Sequence, residues 1–454
     1  MSVDLVVRNG NVVAGDEIIR GGGLAIESEK IVAVGATAGL PDARTVVDAR
    51  GAWILPGVID PHVHFRDPGL TDREDFNTGS SAAVLGGVTT VFDMPNTVPP
   101  TADGKAVQEK RRIVTPKARV DFGLFGLVGQ DNVDAIEEMA AAGVIGFKFF
   151  LHQAIEGVAP CDDGALLEAF ERIARTGLRA AVHAENAHII GRKSRALRQA
   201  GRHDATANLD ARPTVSESEM VERCVAFARS AGTKLHICHA TSAETVAAVG
   251  AAKAKGLDVT AETGPQWLTF TQDDVAQRGT ILMFSPPFRL DADRVALWEG
   301  LRSGAVDMVA TDHAPRHEHE KICSSVWETK SGFIGVETSV PVMMTAVQQG
   351  RLEIVRYARA ISENPARAYG LWPRKGGLRV GADADVMVVQ TGQTRVLAAD
   401  DLHSRLRVTP FLGAAVTAAV THTVLRGALV VDNGRLVGTP SGQDVRVPDR
   451  GTRR

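Results

Sequence analysis

No excess of positive charge is available to this chain: 51 Lys and Arg stand against 54 Asp and Glu, a formal net charge of -3. Without a basic field, nothing draws it to nucleic acid or to an anionic membrane surface. No apolar stretch is long enough to span a bilayer. Nor does the chain open on a positively charged segment followed by an apolar run, because residues 3–8 already alternate as a strand. Cysteine is scarce, and Cys161, Cys224, Cys238 and Cys323 form no CxxC pair. They read as reduced thiols of a cytoplasmic enzyme rather than as a disulfide framework. A glycine-rich GxGxxG turn after the first strand is also missing, which removes the fingerprint of an open dinucleotide-binding sheet. The expected partner is thus a small molecule, with no nucleic acid and no membrane.

What remains is ordinary globular material, with 44% hydrophobic and 23% charged residues over 454 positions, enough for a large core. The first fifty residues are short alternating strands broken by glycine (VDLVVRNG, GLAIES, KIVAVG, TVVDARG), and a like texture returns in ADVMVVQ, TAAVTHTVLRG and ALVVDNGRLVG. Period-two alternation bounded by turn residues predicts strands. The two ends are expected to pair into one small β-sandwich domain, from residues 1–54 and 375–440, with 441–454 as a loose polar tail.

Between them, β-branched runs alternate with alanine-rich helical stretches. The runs cover residues 56–65, 87–94, 120–128, 143–150, 178–185, 234–240, 257–264 and 306–314. Strands alternating with helices imply parallel βαβ crossovers, and this number of units implies a closed (β/α)8 TIM barrel, an α/β fold, over residues 55–374.

Barrel active sites are built at the C-terminal ends of the strands, and polar residues collect there. His62 and His64 are two apart in DPHVHFRDPG, so on a strand both imidazoles face the same way. An HxH pair alone is common by chance, but His183, His239 and Asp312 end the fifth, sixth and eighth runs. Imidazoles with a carboxylate suit a borderline divalent metal such as zinc. Lys148 in GFKFF ends the fourth run. It either snorkels to water or, desolvated among cations, loses its proton and adds carbon dioxide to give a carbamate able to bridge two metals.

The motifs DPHVHFRDPG, GVTTVFDMPNT, GFKFF, HAEN, HICHATS, AETGPQ, FSPPFR, TDHAP and GFIGVETSVP occur in this order. Together they resemble the cyclic amidohydrolases: dihydroorotases, allantoinases and hydantoinases. The resemblance implies that His62, His64 and Asp312 hold one divalent metal and His183 and His239 a second, zinc being the expected ion. Lys148 would bridge them as N6-carboxylysine. Water activated between the metals would attack a cyclic amide carbonyl while Asp312 moves its proton. A homo-oligomer, dimer or tetramer, is the expected assembly. Homologues that have lost their ligands serve as inactive scaffolds, but here all the ligand positions are filled.

The substrate is read from residues nearby. Arg66, directly after the HxH pair, suits a substrate carboxylate, and Asn96 in MPNT could bond the same group. Both follow the dihydroorotase pattern, so the first expectation is interconversion of L-dihydroorotate and N-carbamoyl-L-aspartate in pyrimidine biosynthesis. Three positions depart from it. Ser285 before PPFR resembles allantoinases, Gly264-Pro265-Gln266 resembles hydantoinases, and Arg316 stands where a histidine is usual. Allantoinase or hydantoinase ring opening is therefore the alternative. Arg316 either supplies a second cation or faces solvent. His236, out of phase with His239, is expected in the core or beside a ligand, and His317 and His319 in a solvated loop. The long segment from Pro315 to Gly335 is expected to act as a lid.

Overall fold

The computed structural model describes residues 2–447. Eight strands, Val58–Val63, Val88–Asp93, Asp121–Leu127, Gly146–Phe150, Arg179–His183, Lys234–Ile237, Val259–Thr263 and Met308–Val309, lie in that spatial order in one sheet. Every neighbouring pair is parallel. The seam between first and last closes through a parallel bridge from Val63 to His313 and a hydrogen bond from His64 N–H to the His313 carbonyl, 2.8 Å. Asp60 fastens the same seam from inside, accepting from the Thr311 N–H at 3.2 Å and hydroxyl at 2.6 Å. The structure is the expected (β/α)8 barrel.

Helices follow the strands because the sequence supplies caps at the right places. Asp75, Asp103, Asp162 and Ser242 each accept a backbone N–H of the first turn of the helix they precede. Gly177, Gly232 and Gly304 end three helices in the left-handed conformation that a side chain disfavours. With helices outside and packed side chains inside, strands such as Val58–Val63 and Asp121–Leu127 are buried at every position. They therefore read as continuous apolar runs rather than alternating ones.

The chain ends build a second, separate sheet of nine strands. Its order runs Arg435–Leu436, Ala428–Asp432, Ala415–Leu425, Val386–Val396, Trp53–Pro56, Val3–Ala14, Glu17–Glu27, Lys30–Ala36, with Ala43–Asp48 against Val3–Ala14. The two ends meet where Trp53–Pro56 pairs antiparallel with Val386–Val389. Leu5, Val7, Val12, Leu24, Ile26, Ile54, Val386 and Val388 form a core of its own. Beneath the barrel, the buried Lys375 amine reaches Asp121 at 2.6 Å, Asp385 at 2.7 Å and Asp383 at 3.2 Å, tying the third barrel strand to the small domain.

The expected loose tail needs correcting up to Val447. Residues 441–447 dock on the third barrel strand: Phe122 N–H donates to the Gln443 carbonyl at 2.9 Å and Val445 N–H to the Phe122 carbonyl at 2.7 Å. Val445 is buried with Ile59, Phe92, Phe125 and Tyr369, so one apolar side chain at a free backbone edge anchors the segment. Residues 448–454 lie outside the described residues. Among the described residues no helix is long and apolar enough to cross a membrane.

Candidate metal centre

His62 lies on the first barrel strand and His64 just past it, and both imidazoles are buried. Asp312 follows the eighth strand and closes on them, with Oδ1 3.0 Å from His64 Nε2 and 3.4 Å from His62 Nε2. The donor atoms of this trio lie within 4.8 Å of one another. Across the mouth, His183 and His239 meet edge to face with ring centroids 4.4 Å apart, and His239 lies 5.4 Å from His62. Lys148 Nζ sits between the groups, 3.4 Å from His62 Nε2 and 3.0 Å from Cys238 Sγ. The structure thus gathers all six residues, from five strands, into one pocket. Arg66, His239 and Asp312 have φ of 62°, 39° and 47°. Such left-handed backbone costs a non-glycine residue about 1–3 kcal/mol, a strain that collects at functional sites.

A layer of partners behind the pocket fixes the imidazoles. His62 Nδ1 donates to Glu262 Oε1, and Glu262 Oε2 accepts from His236 Nε2 at 3.0 Å. His64 Nδ1 donates to Asn96 Oδ1 at 2.6 Å, and His183 Nε2 to Glu185 Oε2 at 2.7 Å. Each tether takes one ring nitrogen and leaves the other without that partner, the arrangement in which a histidine can serve as a metal ligand. Nδ1 of His239 is buried without a partner.

Burial holds His62 below the usual imidazole value and His64, His183 and His239 well below it, so all four are neutral donors. Burial pushes Asp312 the other way, above the ordinary carboxylate value, against the pull of His62, Lys148 and Arg66. Neutral imidazoles with a carboxylate in a dry pocket are a donor set that fits divalent metal.

The residues expected to touch substrate are spread around the rim. Arg66 is 3% exposed, with Nε buried and unpartnered. Burial, then Arg316 and Arg73, hold its guanidinium well below the usual value. Arg316 is brought down to about 10 by burial and then Arg73, and its Nε donates to the Ser331 carbonyl at 2.8 Å. It is half-buried rather than free in solvent. Ser285 is nearly buried. Asn96 has a role the sequence did not suggest: its oxygen accepts from His64 and holds that imidazole, which leaves its amide N–H groups as the part that can meet a substrate. Gln266 donates to the Thr311 carbonyl at 3.0 Å, bracing the turn before Asp312. His317 pairs with Asp72 at 2.9 Å, and its ring stacks on His319 at 5.2 Å. The long segment after the eighth strand is strapped across the mouth, Lys321 Nζ donating to the Met283 carbonyl at 2.7 Å and Trp327 Nε1 to the Arg202 carbonyl at 2.7 Å.

Sequence reasoning passed over Glu262, Glu185, Cys238, Arg212 and His152. Glu185 pairs with Arg212, and His152 stacks on His183 at 3.7 Å. The available signal was position: Glu185 is two residues past His183, and Glu262 lies within the seventh strand.

The sequence pattern of the amidohydrolase family matches residues 53–430. Along almost its whole length the chain is similar to an L-hydantoinase of Paenarthrobacter aurescens, with 34% identity and 96% of each chain covered. It is also similar to allantoinases of Rubrobacter xylanophilus, at 38% identity covering 98% of this chain and 97% of that one, and of Deinococcus radiodurans, at 37% covering 98% and 99%. Among solved structures, L-hydantoinase from Arthrobacter aurescens superposes with a TM-score of 0.94 at 33% identity, covering 98% of this chain and 100% of that one. Dihydropyrimidinase from Brevibacillus agri gives 0.90 at 28%, covering 97% and 98%. With this span matched and a donor set for divalent metal at the barrel mouth, the chain belongs to the amidohydrolase family, among its members that hydrolyse cyclic amides.

Proposed function

We propose that the protein opens the ring of a neutral five-membered ureide, allantoin or a 5-substituted hydantoin, by hydrolysis of one ring C–N bond. The full-length likeness to proteins named allantoinase and L-hydantoinase supports this reading over dihydroorotase. The observation that carries it is the extent of that likeness, which takes in 96% of this chain for the L-hydantoinase and 98% for the allantoinase.

In this reading His62, His64 and Asp312 would hold the first metal and His183 and His239 the second, and Lys148, as a carbamate, would be the anionic ligand they share. The Lys148 amine is fully buried, with Cys238 and His62 as its hydrogen-bond partners, and as a neutral amine it could add carbon dioxide with loss of a proton, giving a carbamate whose charge the metals would offset. When bound, two divalent ions polarise the ring carbonyl and make water acidic enough to attack it at neutral pH. Asp312 accepts the proton that water loses and returns it to the departing ring nitrogen, so a carboxylate and an N-carbamoyl group remain. Glu262, Asn96 and Glu185 keep three of the imidazoles aimed throughout.

A second reading, a ring bearing a carboxylate such as L-dihydroorotate, is favoured by Arg66, whose Nε lies buried without a partner. Assay of wild type and Arg66→Ala against allantoin, 5-substituted hydantoins, dihydrouracil and L-dihydroorotate separates the two. The proposal expects turnover of allantoin or hydantoins, little changed by the substitution. Turnover of L-dihydroorotate alone overturns it, with Arg66→Ala then losing about ten- to a hundredfold in kcat/KM, as loss of a charge-assisted contact does.

A further inference from the structure

Behind the second pair of imidazoles lies a buried ion pair that the mechanism does not use. Glu217 stands in the first turn of the helix Thr214–Ala231 and Arg289 in the segment after the seventh barrel strand, and both are nearly inaccessible. Arg289 NH2 donates to Glu217 Oε2 at 3.1 Å. Glu217 Oε1 accepts from the Thr241 N–H at 2.9 Å and the Thr245 hydroxyl at 2.8 Å, while Oε2 also takes the Thr241 hydroxyl. Arg289 Nε donates back to that hydroxyl at 3.1 Å, and its NH1 donates to the Arg212 carbonyl. All of these bonds but the one to the Arg212 carbonyl are buried, and there an ion pair losing one partner is strongly penalised.

The pair touches three segments, and each carries part of the site. Thr241 is two residues past His239, whose φ of 39° has to be imposed from both sides. One side is held by Glu262, which accepts the His239 N–H at 3.3 Å, and the other by Glu217 through Thr241. Arg212 grips Glu185, which accepts from His183 Nε2 at 2.7 Å. Arg289 itself ends the run Ser285-Pro286-Pro287-Phe288 that brings Ser285 to the mouth. Neither charge contacts the six ligand-type residues.

We propose that Glu217 and Arg289 are positioning residues that set the backbone under His239 and the Arg212–Glu185 tether of His183, and so the affinity of the second metal subsite. The inference rests on the reading of His183 and His239 as metal ligands. It predicts a division within the cluster: loss of the pair loosens His183 and His239, while His62, His64 and Asp312, held by Glu262, Asn96 and the barrel seam, keep their geometry.

The test measures zinc per chain after dialysis against graded chelator, with a thermal melt of each sample and kcat and KM of the reloaded protein. The variants are Glu217→Ala, Glu217→Gln, Arg289→Met and, as a control for stability alone, Ile173→Val in the barrel's helical shell. Glu217→Ala and Arg289→Met are expected to keep one zinc and to hold the second about ten- to a hundredfold more weakly, the usual effect of removing a partner behind a ligand. Their kcat should fall more than KM rises. Glu217→Gln, which keeps an acceptor for Thr241, should recover part of the second affinity even if Glu217→Ala does not fold. Ile173→Val should melt earlier with two zinc ions retained. Equal weakening of both zinc ions, or the same loss in Ile173→Val, or two tightly held ions in every variant, overturns the inference while leaving the metal reading intact. A wild type that binds no zinc overturns both.

Discussion

Glu262→Gln isolates what a carboxylate behind a metal ligand contributes. Glu262 is buried and accepts from His62 Nδ1, from His236 Nε2 at 3.0 Å and from the His239 N–H at 3.3 Å. Glutamine keeps the shape. Its single oxygen still takes the His62 proton, and its amide can donate to His236 once that ring moves its own proton to Nδ1, beside Thr260 Oγ1 at 2.9 Å. The fold should therefore persist, and what disappears is the negative charge. A bond to a charged acceptor is worth about 1.5–3 kcal/mol against about 0.5–1.5 for a neutral one. The difference of about 1–2 kcal/mol makes His62 a poorer donor and should weaken the first metal roughly five- to thirtyfold. Zinc titration against a competing chelator at pH 7.5 reads this directly, and a melt of the metal-free protein shows whether the fold has changed. The sign with pH follows from the charge. Burial alone would raise Glu262, but the imidazoles of His62 and His236 outweigh it and hold it below its ordinary value near 4.5. A depressed carboxylate adds stability that is present above the unfolded value and lost as pH falls through the folded one. The stability gap between wild type and variant should thus be level around neutrality and close only in strong acid. Unchanged zinc affinity in a folded Glu262→Gln would refute the view that the charge behind His62 is transmitted to the metal.

Two other substitutions test the pocket. Lys148→Ala should hold at most one zinc and lose nearly all turnover, with partial recovery when a short-chain carboxylic acid is added to stand in for the bridge; two tightly bound ions without Lys148 would remove the lysine from the mechanism. Asp312→Asn keeps the side-chain shape but cannot take the proton, so kcat should fall about 10²–10⁴-fold while the melting temperature holds, and wild-type kcat with metal bound would send the proton elsewhere.

The barrel was legible in the sequence because strand, helix and cap follow one another with short connections, and each unit can be read locally. His62 and His64 were legible for the same reason: two residues on a strand share a face. The layer behind them was not. The pair from His62 to Glu262 joins residues 200 apart, and nothing within either strand signals the other. The hold of Asn96 on His64 was hidden because a turn asparagine gives no hint that its oxygen accepts from an imidazole 32 residues earlier. The docking of residues 441–447 depends on a vacant backbone edge of the third barrel strand, a property of the folded sheet alone.

The seam that closes the barrel sets a timetable for the protein's maturation. His64 and Asp312 are separated by 248 residues, and the bridge between Val63 and His313 joins the same two places. A chain leaving the ribosome carries its histidine pair long before the aspartate exists, and at ~5–20 residues per second the gap is roughly 12 to 50 seconds. During that interval the histidine pair lies on an open sheet without its carboxylate partner. Arrival of the eighth strand brings Asp312 to the histidines and shuts the barrel in one event, so the carboxylate joins the pocket at the same moment as the ring of strands closes.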